Sequence, residues 1–541
     1  MRKICLLVAI AFLFSVNVFA NDSITIADKT ERPALDLVGP VITYTPVIKS
    51  SCLTIKSFSA TITDVDGVNT TIGTRPRVYY KRSTDANAWN NNLPATAGWK
   101  YAEAINTTSP YSFNINYSLL SGGTGILAGQ TIDYFVVAQD LVATPNISIN
   151  SGSFAAAPAS VNLTAAAFPI GGVINNYNIV NDLTNFITVG AAGGDFPTLT
   201  LAGGLFAVIN NVGLSGNTTV EILDPLLTET NLYPLNQIQN TGCSAGTVTL
   251  LIKPAAGVTS TITGSIANSS VIRILSSNVT IDGSNNGTTS RNLTIRNTNA
   301  SSPNVILYGS TGTVPITNST LKNTICNNGA NGTSTILVCD GSGVGSAGYF
   351  NNITIQNNNI QRGLNFGVFA VAVASAGNGS LLVTGNDMNA TSPNQIGLVG
   401  VYADGLDGAT ISNNNIGNFD PAVAGSKYGI WMTGNTINTT VSGNTISAIT
   451  ATGTFTVYGI AVTASASSGI IIQKNNISNI KNTNAAGYGA YGIALSSSLT
   501  AANITAANNF IYDVAGAGSA TLPIVRNGHG IYIGAGAGYK I

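Results

Sequence analysis

Charge is what this 541-residue chain has least of: 22 basic and 22 acidic side chains make up 8% of it, against roughly 25% in an ordinary soluble domain. There is one histidine, and no glutamate follows Glu229. Helical bundles, coiled coils and basic nucleic-acid binders all depend on Lys, Arg and Glu, so this composition argues against each of them. Beyond the N-terminus no run of about 18 apolar residues occurs, and no transmembrane anchor is expected. What remains is 44% hydrophobic with 59 glycines, a mean hydropathy of +0.28, and polar residues that are mainly Asn, Thr and Ser. The aliphatic content opposes disorder. The mixture suits β-structure with polar turns.

Residues 1–20 read as a secretory signal: Arg2 and Lys3, an apolar run over 4–14, then Val18 and Ala20 where a signal peptidase inspects the chain. Cys5 opens that run and so is not a lipidation site. Removing the signal leaves 22 − 2 = 20 basic against 22 acidic groups, and no electrostatic partner is implied. Cys52, Cys243, Cys326 and Cys339 are too scattered for a metal-ligand pattern and too few for a disulfide scaffold. Cys326 and Cys339 are either bridged, as an oxidising compartment permits, or buried free thiols.

Residues 21–37 form a polar tail. Over 38–163, short alternating segments at 57–63, 77–81, 111–117 and 131–139 predict a β-sandwich. The stretch G-Q-T-I-D-Y-F-V-V-A-Q-D at 129–140 resembles the late-strand signature of bacterial immunoglobulin-like and fibronectin type III modules, which implies that Tyr134 lies near a corner. A linker is expected over 164–185, followed by a solenoid over 186–541. At its start G-G-D-F-P-T-L (193–199) precedes Leu201, Leu205, Phe206 and Ile209 at helical spacing, which predicts a helix near 198–211, and a strand follows at 219–223. This order is similar to the capped entrance of pectin-lyase-like right-handed parallel β-helices.

Internal repetition carries the fold assignment. The segment I-T-I-Q-N-N-N-I at 353–360 recurs five times, with closing apolar residues Ile360, Met388, Ile416, Ile446, Ile477 and Phe510 separated by 28, 28, 30, 31 and 33 residues. Two residues before each stands Asn358, Asn386, Asn414, Asn444, Asn475 or Asn508, and a weaker copy holds Asn323, Thr324 and Ile325. A second segment, Y-G-I-W-M-T at 428–433, recurs in step, starting at Phe366, Val399, Tyr458, Tyr491 and His529. Two apolar ladders advancing together at about 30 residues define an all-β, single-stranded solenoid, a right-handed parallel β-helix. The asparagines are expected to turn the chain through the left-handed region and to hydrogen-bond from coil to coil at ~4.8 Å spacing.

Polysaccharide lyases and hydrolases need clustered carboxylates beside Arg, Lys or a cation. The repeat region offers few. Asp387 sits in a turn slot otherwise held by Asn359, Asn415, Thr445, Asn476 and Asn509, and reads as a turn residue. Asp404 and Asp407 are the closest pair in sequence, with Arg362 or Lys427 as cations a neighbouring coil could bring. Gly528, His529 and Gly530 resemble the G-H-G element of polygalacturonases, but the aspartates that family places upstream are absent, and His529 occupies a tyrosine slot. These three residues, Asp404, Asp407 and His529, are weak catalytic candidates. No cofactor or metal is called for, and calcium, which the aspartate pair could take, has no supporting pattern.

Strand alternation points Phe369, Tyr402 and Trp431 outward on three consecutive coils, with Ala461, Ala494 and Tyr532 continuing the row. Such a row can stack on sugars, which makes Phe369, Tyr402 and Trp431 the glycan-binding candidates. Alternatively it lies under a loop such as 389–395, or pairs across strands to stabilise the sheet.

The chain as a whole resembles Asn-, Gly- and Thr-rich exported proteins of Bacteroidetes-type bacteria that join immunoglobulin-like modules to pectin-lyase-like β-helices. That implies a secreted or cell-surface protein of a Gram-negative bacterium. The expected function is a non-enzymatic surface or adhesion protein with an extracellular polysaccharide as partner, and the alternative is a polysaccharide lyase or glycoside hydrolase. No sorting domain is visible before Ile541, so a truncated product or a fragment is expected.

Overall fold

The computed structural model describes residues 38–183, 185–342, 345–463, 466–486, 488–517 and 527–541. The expected signal at 1–20 and tail at 21–37 lie outside the described residues.

Alternating burial builds the solenoid. Along Ile353–Gln356 and Leu381–Thr384 every second residue points inward, and each strand lies in register on the one a coil earlier. Ile355, Val383, Ile411, Val441 and Ile472 form one inward ladder. Val368, Val401, Ile430, Ile460 and Ile493 form another. Both belong to a single apolar core running the length of the coils. Three parallel sheets of 12, 10 and 9 strands enclose it, giving a parallel β-solenoid of about 11 turns and ~32 residues per turn. The third sheet runs from Ser270–Ile274 to Gly528–Ala535.

The turn from the first to the second sheet corrects the expected role of the asparagines. The left-handed residue is the one before each ladder position: Asn357 (φ 51°), Gly385 (65°), Asn413 (54°), Gly443 (66°), Lys474 (56°) and Asn508 (55°). Gly and Asn prevail there because a β-carbon is costly at such angles. The next residue, Asn358, Asn386, Asn414, Asn444 or Asn475, turns its amide inward and is buried. In the last coil the ladder residue is therefore Asn509, since Asn475 Nδ2 donates to Asn509 Oδ1 at 2.9 Å, and Asn508 makes the turn. The closing core residue there is Ile511, paired with Ile477; Phe510 is 66% exposed. In the weaker copy Asn323 takes the turn and Thr324 the ladder slot, where it donates to Asn358 Oδ1 from both N and Oγ1.

A helix at Leu205–Val212 buries Leu205, Phe206 and Ile209 against the first coils. It is shorter than the expected 198–211 because turns occupy residues 199–203. A strand at Thr218–Ile222 follows.

The N-terminal region departs from a plain two-layer sandwich. A three-stranded sheet holds Val41–Thr43, Ile55–Thr63 and Tyr111–Asn116, and a mixed sheet is built around Arg77–Arg82 and Thr131–Gln139. Residues 164–185, expected as a linker, contribute the strand Asn175–Ile179, antiparallel to Thr131–Gln139 and parallel to Lys49–Ser50. Both faces of the mixed sheet are covered, because Tyr80, Tyr134 and Val136 pack on one side while Tyr79, Phe135 and Val137 join Trp99, Val161 and Phe168 on the other. Tyr134 Oη accepts from Val47 N at 2.7 Å.

Candidate functional site: an aromatic belt on the third sheet

The row expected from the repeats exists in full register: Phe369, Tyr402, Trp431, Ala461, Ala494 and Tyr532 are successive neighbours. A second outward row, Phe366, Val399, Tyr428, Tyr458, Tyr491 and His529, runs beside it. The two rows merge into one belt. Trp431 stacks on Tyr428 (4.4 Å, 13°), Tyr428 on Tyr458 (4.6 Å, 8°), Tyr458 on Tyr491 (5.2 Å, 18°) and Tyr491 on His529 (5.4 Å, 10°). Phe369 stacks on Tyr402 (5.1 Å, 12°), and Tyr402 meets Trp431 edge-on (5.0 Å, 76°). Small residues make room: Ala461 and Ala494 lie buried among the tyrosines.

Most ring faces in this belt are therefore taken by other rings, and what the half-buried rings present outward is mainly edges. Two of them are also held by polar bonds: Tyr402 Oη donates to Asp404 Oδ2 at 2.8 Å, and Trp431 Nε1 donates to Thr463 Oγ1 at 2.8 Å. Burial, with the adjacent Asp404 carboxylate second, raises the Tyr402 phenol above its ordinary value. Burial pushes Tyr491 up to about 12.

The catalytic candidates do not converge. Asp404 ends the strand Val399–Asp404 and serves the Tyr402 hydroxyl. Asp407 lies in the following connection, where its carboxylate accepts from Gly377 N and Asn438 Nδ2, both at 2.8 Å. Lys427 is fully buried and donates to the carbonyls of Gly397 (2.9 Å), Asp420 (2.7 Å) and Val423 (3.1 Å). Burial pushes its ammonium down to about 8. Arg362 stands before the start of the third-sheet strands, opposite the end where Asp404 lies, and shares a cleft of about 160 Å³ with Asp420, Gln395 and Ser392. Asp387 accepts from Asn389 N and Asn415 Nδ2, both at 3.2 Å, as a turn residue does. Among the described residues no group of three His, Cys, Asp or Glu side chains could hold a metal ion.

Two features escaped sequence reasoning. Cys52 is bridged to Cys243 (Cα–Cα 4.6 Å), which ties the N-terminal region to the solenoid, whereas Cys326 and Cys339 are buried free thiols in different sheets. The alternative of a Cys326–Cys339 bridge is thereby set aside: Cys326 points into the core and Cys339 out of the solenoid. Glu229, the last glutamate, is 1% exposed and accepts from Leu199 N and Thr200 N at 2.8 Å and from Thr200 Oγ1. It ties down the loop before the capping helix. Burial raises its carboxyl despite those bonds.

This geometry defines an all-β parallel β-solenoid. No protein family and no curated protein matches the sequence. Among solved structures, the A-module of the Azotobacter vinelandii mannuronan C-5 epimerase AlgE4 is 13% identical, with 65% of this chain and 97% of that chain covered and a TM-score of 0.30. The AlgE6 A-module of the same organism is 13% identical, covering 62% and 89%, with a TM-score of 0.28. The catalytic unit of a GH87 α-1,3-glucanase from Streptomyces thermodiastaticus is 12% identical, covering 93% and 89%, with a TM-score of 0.22. At these values the likeness concerns the fold alone.

Proposed function

We propose that this chain is a non-enzymatic, exported β-solenoid of surface or adhesion type that engages a polysaccharide along the outer face of its third sheet. The observation that carries this reading is the belt itself: nine rings, from Phe366 to Tyr532, cross six consecutive strands without interruption. At ~4.8 Å per coil this is a strip about 24 Å long. A contiguous patch of this size is more often functional than scattered apolar residues are. The third-sheet strands from Asn304 onward carry few ionisable groups other than tyrosine and the buried Cys339: Asp340, Asp404, His529 and the buried Lys427. A neutral glycan suits such a face better than a polyanion does.

The test is affinity electrophoresis through gels containing a neutral β-glucan or alginate. Retardation by the neutral polymer, weakened at least tenfold in Trp431→Ala and Tyr402→Ala, supports the proposal. Equal retardation of wild type and both variants overturns it.

The second reading, a polysaccharide lyase or glycoside hydrolase, is the one favoured by the names of the solved solenoids, which act on mannuronan and α-1,3-glucan. Its local support in this chain is the cleft that holds Arg362 and Asp420 together. Release of new reducing ends or unsaturated products, abolished by Arg362→Ala and Asp420→Asn, would establish it in place of the first.

A further inference from the structure

The cleft where the N-terminal region meets the first coils is about 420 Å³, within the size range of small-molecule sites, which favour such junctions. Its floor is Val47 and Phe58, its rim includes Ile48, and its solenoid wall carries Gln239 and Asn240. The walls are fixed covalently and by main-chain bonds: the Cys52–Cys243 bridge stands behind them, Ser51 N donates to Thr241 O and Ser57 N to Cys243 O, both at 2.7 Å.

The charge of this cleft is one-sided. Among the described residues Lys49 and Lys56 are its only ionisable lining residues, and no carboxylate lines it. Among the described residues neither takes part in an ion pair; the pairs there are Arg77–Glu103, Lys81–Asp133, Lys253–Glu221, Lys322–Asp282 and Lys481–Asp513. Lys49 Nζ donates to the carbonyls of Asn210 (3.0 Å) and Asn211, at the end of the capping helix. Lys56 is 3% exposed, and its Nζ donates to Gly242 O. An ammonium has three donors, so Lys56 keeps two beyond that bond and Lys49 one. A desolvated cation without a counter-charge is costly unless an anion completes its shell. Burial lowers both ammoniums, Lys56 to about 8.

We propose that this junction is a binding site for a small organic anion, a carboxylate on a compact apolar or ring body, with Lys49 and Lys56 holding the charge and Val47 and Phe58 the body. The carbonyl bonds of the two lysines orient them. The apolar floor distinguishes an organic carboxylate from a bare inorganic anion.

Titration of the full chain with benzoate, inorganic sulfate and benzyl alcohol, followed by calorimetry and by unfolding temperature, tests this. Saturable benzoate binding is expected, with sulfate weaker and benzyl alcohol silent. Lys56→Met should weaken benzoate binding at least tenfold. Ile48→Glu should do the same with an unchanged ligand-free unfolding temperature, because Ile48 is 50% exposed and only adds a repelling charge to the rim. No saturable benzoate binding, benzyl alcohol binding as tightly as benzoate, or benzoate binding unaffected in Ile48→Glu would each overturn the proposal.

Discussion

Asn386 Oδ1 accepts two hydrogen bonds from Asn358, one from its backbone N at 2.9 Å and one from Nδ2 at 3.0 Å. The same pair of bonds links Asn386 to Asn414, Asn414 to Asn444 and Asn444 to Asn475, and each amide also donates inward, as Asn414 Nδ2 does to Val383 O at 2.9 Å. Asn414→Ala would remove the partner of the Asn386 backbone N, of one Nδ2 hydrogen of Asn386, whose other hydrogen keeps Ile355 O, and of the Val383 carbonyl in a dry interior. At ~1 kcal/mol or more per orphaned group, the loss should be about 3 kcal/mol. Asn508→Ala, which removes only a residue tolerant of left-handed angles, should cost roughly 1 kcal/mol. Urea denaturation of the two variants checks both the magnitude and the placement of the ladder on Asn509.

The period, the ladders and the outward row were legible because stacking coils repeat the same environment, so Ile355, Val383 and Ile411 had to be alike. The ladder slipped by one residue in the weaker copy, where Thr324 and not Asn323 holds the slot, and in the last coil, where the run Asn508–Asn509–Phe510 offers two asparagines and pattern alone prefers the apolar ring; packing instead keeps Ile511 inside and puts Phe510 in the Asn476 slot. The Cys52–Cys243 bridge was invisible, since 191 residues separate the partners and only the docking of two regions brings them together. Ring orientation was equally hidden. Alternation reveals that Trp431 points outward, but not that it lies flat on Tyr428, three residues earlier in the same strand.

That stacking carries its own expectation. Tyr458 is covered by a ring on each face, so Tyr458→Ala should cost about 3 kcal/mol through lost burial and two lost stacks. Tyr512→Ala, at a site 47% exposed, should remain within about 1 kcal/mol. Equal losses in thermal unfolding would mean that the belt is not a cohesive unit.

Stability should respond to alkali in two opposite stages. Lys56 and Lys427 are held down to about 8 by burial against an ordinary 10.5, so between these values the unfolded chain binds protons that the folded chain does not, and stability rises with pH. Above about 10 the buried tyrosines dominate. Tyr80, Tyr134, Tyr177 and Tyr308 are raised by burial and Tyr117 reaches about 12, so unfolding releases protons and stability falls. Melting temperatures from pH 7 to 12 should trace this maximum, and Lys427→Met should flatten part of the rise.

The cysteines give the last expectation. Cys326 and Cys339 are fully buried, and burial pushes their thiols up to about 12 and about 11, so thiolate, the reacting form, is scarce at neutral pH. Cys243 is exposed at the surface while its partner Cys52 is buried, which leaves one sulfur open to attack by a reductant. Protein lacking residues 1–20 should therefore show no thiol reactive toward Ellman's reagent when native, and two when denatured without reductant. Mild reduction should open Cys52–Cys243, and Cys52→Ser with Cys243→Ser should lower stability by about 5 kcal/mol, as a closed loop of 191 residues predicts. Four reactive thiols after denaturation without reductant would exclude the bridge.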